Sequence, residues 1–130
     1  MLNILRQACY DGGTLRHVRE APLDPGSPRI AAIELQFDAL TITIAAVSDD
    51  DTVQILPGPI QTASCPGSGP LWPLCVGKSL QWAWLMTNQQ GYTDGVRLEF
   101  GESDNPESVL VDLVVAASGL DSFQAVPVGA

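Results

Sequence analysis

Histidine is nearly absent from this chain, which has one in 130 residues, and only six lysines and arginines stand against fifteen acids. The lone His17 leaves little material for imidazole catalysis, and no Gly-x-Ser-x-Gly elbow exists for it to serve. An ordinary histidine on a strand surface is the expectation. The three cysteines, Cys9, Cys65 and Cys75, form no C-x-x-C pair and are odd in number, which excludes a zinc site of the usual spacing and a closed disulfide framework. No stretch approaches the roughly 20 apolar residues of a membrane-spanning helix. The first eight residues lack a basic segment leading into an apolar one, so a cytoplasmic protein with reduced thiols and no membrane attachment is expected.

Charge is scarce and one-sided. Charged residues are 16% of the chain, below the roughly 25% of an average domain, and the net charge is −9. Arg6, Arg16, Arg19 and Arg29 all precede residue 30, so the rest of the chain is almost purely acidic. Such a surface repels phosphate backbones and argues against nucleic acid; it would steer a basic protein partner instead.

An apolar fraction of 45% in 130 residues suffices for one domain with a single core. The alternation of Ile33, Leu35 and Phe37, then Leu40, Ile42 and Ile44, predicts two strands joined tightly, and Val53 with Ile55 predicts a third after the turn at Asp49, Asp50 and Asp51. Residues 109–117 form a near-continuous apolar run broken by Asp112, as in a buried central strand. Leu80, Trp82, Trp84 and Met86 alternate before a polar segment, 88–95, and Val96, Leu98 and Phe100 alternate after it, which reads as a long hairpin. On that alternation Trp82 and Trp84 are expected in the core. The first ten residues fit a short helix or an edge strand, and residues 71–78 fit a helical turn closed by Gly77. Residues 57–70 carry four prolines and no apolar period, as in a mobile or binding segment in which Cys65 would be the most accessible thiol. The tail from residue 118 onward is expected to fray. The fold class that results is mainly β, with a β-rich α+β arrangement as the alternative. It is a single antiparallel, meander-like sheet, curved or partly closed, with one or two short helices.

The candidate binding residues lie in the polar hairpin segment, where Asn88, Gln90, Tyr92 and Asp94 surround Gly91, and in the Asp49, Asp50, Asp51 turn. Consecutive acids on an extended chain point in alternate directions, so a metal site is not expected, and no cofactor motif is present. Three functional classes follow. The leading one is a non-catalytic acidic protein that docks a protein partner; the alternatives are a ligand-binding domain with Trp82, Trp84 and Tyr92 as an aromatic wall, and a hydrolase using Asp49, Asp51 and Asp94.

Gly77-Lys78, Trp82-Ala83-Trp84, Asn88, Gln90-Gly91-Tyr92 and Asp94, then Leu98 and Phe100, resemble a family of small bacterial proteins of unknown function sharing a W-x-W-x-x-x-N-x-Q-G-Y-x-D signature. The turn from Asp49 to Thr52 is a weaker point of likeness. The resemblance implies a small β-rich domain and carries no catalytic residue with it. Size and acidity add an analogy to immunity-like partners of toxins.

Overall fold

In the computed structural model of the protein, residues 1–61, 69–102 and 104–125 are described. The expectation for Cys65, and with it the middle of the proline-rich segment, lies outside those residues. The chain opens with α1 (Leu2–Asp11) and continues through β1 (Leu15–Pro22), β2 (Ile30–Phe37), β3 (Thr41–Val47) and β4 (Thr52–Pro57). A 3-10 turn at Trp72–Leu74 precedes β5 (Ser79–Thr87), β6 (Thr93–Glu102), β7 (Asn105–Ala116) and β8 (Gly119–Ala125). Strand makes up 58% and helix 11%, so the mainly β expectation holds.

All pairings are antiparallel. Two four-stranded meanders, β1 to β4 and β5 to β8, join into one curled sheet of order β4-β3-β2-β8-β7-β6-β5, with β1 on β2 off that path. The link between them is the pairing of Ile30 with Leu120, and a bridge between Thr14 and Ser79 ties the opposite end. The curl is what a twisted sheet needs to enclose a core on its concave side. Ile33, Leu35, Ile42 and Ile44 fill that core from the first meander, and Val96, Leu98, Phe100, Val111 and Leu113 from the second; all are buried. The N-terminal segment resolves as helix, because Leu5 and Ala8 at a spacing of three share one buried face. That helix packs against β5 and β4, the two strands that end the sheet path. Trp72 is 1% exposed and meets Phe100 edge to face with ring centroids 6.5 Å apart.

Two expectations are corrected. The chain beyond residue 118 does not fray at once, since β8 pairs with β7 from Ala116–Gly119 to Leu110–Ala125 and buries Leu120. Its strand signal is hidden because only Leu120 and Phe123 are large apolar residues among seven. The second correction concerns the tryptophans. A bulge between Leu80 and Trp82 leaves Gln81 outside the ladder and resets the alternation of β5. Leu80 stays in the core, Ala83 and Leu85 take over the inward positions, and Trp82 and Trp84 turn outward.

The outer face of the first meander is closed by polar contacts. Glu34 lies there with a side chain only 1% exposed, opposite Arg19 on β1 and Thr43 on β3. Its carboxylate accepts hydrogen bonds from Arg19, from the Gln36 amide and, at 3.4 Å, from the Ile60 backbone N–H. Burial raises the Glu34 pKa, but those hydrogen bonds and the Arg19 charge outweigh it and hold the carboxyl below its ordinary range.

Candidate functional site

The antiparallel register brings every candidate residue to one end of the sheet. The turns between β1 and β2, β3 and β4, β5 and β6, and β7 and β8 all lie at the end marked by the Ile30–Leu120 link. Asp49, Asp50, Asp51 and Asp94 therefore share a rim with Asp121, and Arg29 sits among them. Most of this rim is structural. Asp50 accepts from the backbone N–H and hydroxyl of Thr52, and Asp51, at φ 53, accepts from the Ser118 backbone N–H at 2.9 Å, clamping two turns together. Arg29 donates to the carbonyls of Ala116 and Ala117.

The polar hairpin segment is shorter than the sequence suggests, because β6 already begins at Thr93. Asn88 organises it. Its side-chain oxygen accepts from the backbone N–H groups of Gln90 and Tyr92 at 2.9 and 3.2 Å, and its amide donates to Asp94 at 3.1 Å. Gly91 adopts φ 88, a conformation costly for residues with a Cβ. Asn88, Gly91 and Asp94 thus close the turn, a common use of Asn and Asp. Gln90 and Tyr92 point elsewhere: both are exposed, and among the described residues neither side chain makes a hydrogen bond.

The expected catalytic groupings are not assembled. His17 is exposed on β1. Asp49, Asp50 and Asp51 are exposed, and among the described residues no cluster of three or more His, Cys, Asp or Glu is placed to hold a metal ion. Cys75 is fully buried; burial pushes its thiol up to about 12, against a small lowering by Lys78, so it carries almost no thiolate at neutral pH. No described helix is long and apolar enough to cross a membrane.

What the fold does leave open is the outer face of β5 to β8. Cross-strand register places Trp82, Glu99, Leu110 and Ala125 in one row, and Trp84, Arg97, Asp112 and Phe123 in the next. Met86, Gly95, Val114 and Asp121 form a third. Trp82 is 62% exposed, Trp84 44% and Phe123 55%. With side chains of about 150–250 Å² each, these three rings present roughly 350 Å² of aromatic surface, comparable to the largest apolar patch of an ordinary monomer. A bidentate pair crosses its middle, Arg97 donating to both Asp112 oxygens at 2.7 and 2.9 Å. The Arg97 hydrogen bonds hold the Asp112 carboxyl below its usual range, against the opposing effect of burial. Beside Trp82 the face runs into a groove of about 520 Å³ between α1 and β5, lined by Leu2, Leu5, Arg6, Cys9, Tyr10 and Leu80 to Ala83.

Phe123 and the outward role of the tryptophans are the parts that sequence reasoning missed. The available signal was β7, whose outward Leu110 and Val114 make it apolar on both faces although no second layer covers it among the described residues. A strand of that kind asks for a cover.

Residues 1–129 match the model of a family described as a family of unknown function, DUF6334, and the chain belongs to that family. No curated protein and no solved structure matches it.

Proposed function

We propose that this member of a family of unknown function is a non-catalytic interaction protein, immunity-like in kind and cytoplasmic, which docks a protein partner on the outer face of β5 to β8. One observation carries the reading: Trp82, Trp84 and Phe123 stand exposed on a single continuous face whose opposite side is the core. Large aromatics around a desolvated centre are the usual anchors of protein interfaces, with Arg beside them. The partner's chemistry follows from the charge. Glu99 on the face, Asp94 and Asp121 at its edge and a net charge of −9 suit a partner with an apolar centre and a rim of Lys and Arg. The side chains of Gln90 and Tyr92, which take no part in the turn's hydrogen bonds among the described residues, stand at the border of that face.

The reading shifts weight away from Asn88 and Asp94, which the turn uses, and from Asp49, Asp50 and Asp51, which become part of an electrostatic rim. A hydrolase has little support, because Asp49 and Asp51 are exposed, and Asp51 and the half-buried Asp94 already accept hydrogen bonds. The aromatic-wall reading keeps one point in its favour: Trp82 and Trp84 are two apart on one strand, about 7 Å in projection, and could stack a ring compound. Trp84 and Phe123 stand on the open part of the face, away from the groove beside Trp82, whereas ligand pockets are concave, which favours the protein partner.

A photo-crosslinking residue placed at Phe123 in the living cell tests the proposal, with the same residue at exposed His17 as control. One discrete adduct at 123 and none at 17 is expected. Equal, diffuse labelling at both positions would remove the basis for a docking face. Saturable quenching of Trp fluorescence by a small sugar or nucleoside, with no protein adduct, would favour the aromatic wall instead.

A further inference from the structure

We propose that β5 pairs edge to edge, antiparallel, with β5 of a second copy of this chain. The strand is the last of the sheet path, and past the Thr14–Ser79 bridge its outer edge meets no other strand among the described residues. Exposed edges are normally short, charged, broken by proline or covered. β5 is neither short, charged nor broken by proline: its nine residues, SLQWAWLMT, include no charge and no proline, and the cover it has is α1, which packs against it. The contrast with the other strands that lack a second full ladder is sharp. β4 has six residues and ends in Pro57, β1 carries Arg16, Arg19 and Glu20 and ends in Pro22, and β8, joined to β2 at Leu120 alone, carries Asp121. Register shifts at Gln81 and between Met86 and Thr87 interrupt the pairing of β5 with β6, and the groove toward α1 leaves space beside Leu80 to Ala83.

The sequence of the strand is also self-complementary. A two-fold axis at Ala83 sets Trp82 opposite Trp84 of the second copy and Trp84 opposite its Trp82, directly across the new ladder where side chains on one face interact. Charge is compatible with this arrangement and with no parallel one. Antiparallel pairing puts the two acidic rims at opposite ends of a strand about 30 Å long, beyond the roughly 8 Å over which salt leaves charges visible to one another. Each copy has one such edge, so the contact closes at two. It would lay the two outer faces side by side with four tryptophans at the seam. The inference rests on the strand edge and stands or falls separately from the partner docking, since Phe123 lies three strands away from the edge.

Light scattering across micromolar to millimolar concentrations reads the mass, expected to rise to twice 13.8 kDa. Hydrogen exchange on the same samples should show β5 amides slowing as concentration rises. Gln81→Lys and Trp84→Lys, each placing a charge on the edge, should return a folded monomer, Trp84→Lys with a thermal midpoint lowered by the lost cover of its ring; should one fail to fold, the other and the wild-type exchange data decide. A 13.8 kDa species at every concentration would overturn the proposal. So would a dimer that survives both lysines with β5 exchange independent of concentration.

Discussion

Replacing each tryptophan by alanine should separate the core from the outer face in one series. Trp72 is 1% exposed and packs edge to face on Phe100 at 6.5 Å, so its removal leaves a void under the concave side of the sheet. Large aromatics in such positions cost about 3–5 kcal/mol, the sum of lost transfer energy and an unfilled cavity. Trp82 and Trp84, at 62% and 44% exposure, line no enclosed space, so no cavity term arises when they are cut back. What remains is the partial cover of each ring by its neighbours on β6, which is worth about 1 kcal/mol for Trp82 and about 1–2 for Trp84. Against a total stability of about 5–15 kcal/mol, Trp72→Ala takes a large share and the other two do not. Urea titration followed by far-ultraviolet circular dichroism reads all three, with near-constant slopes needed for the comparison. The expected order of cost is Trp72, then Trp84, then Trp82. A Trp84→Ala loss within about 1 kcal/mol of the Trp72→Ala loss would refute the outward placement and return Trp84 to the core.

Other outcomes follow from the polar contacts. Glu34 has a folded pKa below its unfolded one, so it stabilises the fold at pH values above the unfolded carboxyl range, and that contribution is lost as pH falls through the lowered folded value. Glu34→Gln should therefore cost about 1–3 kcal/mol at neutral pH, the range for lost hydrogen bonds to a charged group, since Arg19 is exposed enough to be hydrated, and should flatten the acid limb of a plot of urea midpoint against pH; a parallel, unflattened limb would place the acid sensitivity elsewhere. Cys75, buried and pushed up to about 12, should react with iodoacetamide at neutral pH only at the rate of unfolding, checked by peptide mass spectrometry with and without urea. Asn88→Ala removes the acceptor of two backbone N–H groups and should cost about 1–2 kcal/mol, whereas Tyr92→Ala should leave the midpoint nearly unchanged. A Cβ at Gly119 would stand 2.5 Å from the Arg29 guanidinium, so Gly119→Ala should loosen the Arg29 clamp and lower the thermal midpoint, while Gly26→Ala, with open space but φ 78, should lower it through backbone strain alone.

The first meander was legible because its chemistry is regular. Ile33, Leu35, Phe37, Ile42, Ile44, Val53 and Ile55 obey the period of a strand with one buried face, and all of them are buried. The β5–β6 hairpin was legible as a hairpin, with Val96, Leu98 and Phe100 of β6 buried as expected, and only the faces of β5 beyond Leu80 were misread. A single bulged residue, Gln81, inverts the alternation for everything after it, and bulges have no signature in a strand of uncharged residues. β8 was hidden for a different reason: its stability comes from the ladder with β7, a long-range property that seven mixed residues do not announce. Among the candidate site residues, sequence alone could not separate those that close a turn from those that face outward. Asn88, Asp94, Asp50 and Asp51 turned out to have partners within the protein, and the exposed aromatic surface lay on the strands instead.

The most direct test of the docking face is the affinity of the partner captured at Phe123, measured by calorimetry for wild-type protein and for the variant Trp82→Ala with Phe123→Ala. Anchors of this kind are worth about 2 kcal/mol or more each, so removing two predicts a loss of affinity on the order of several hundredfold with a thermal midpoint close to that of the wild type. An affinity unchanged by the double substitution would contradict it.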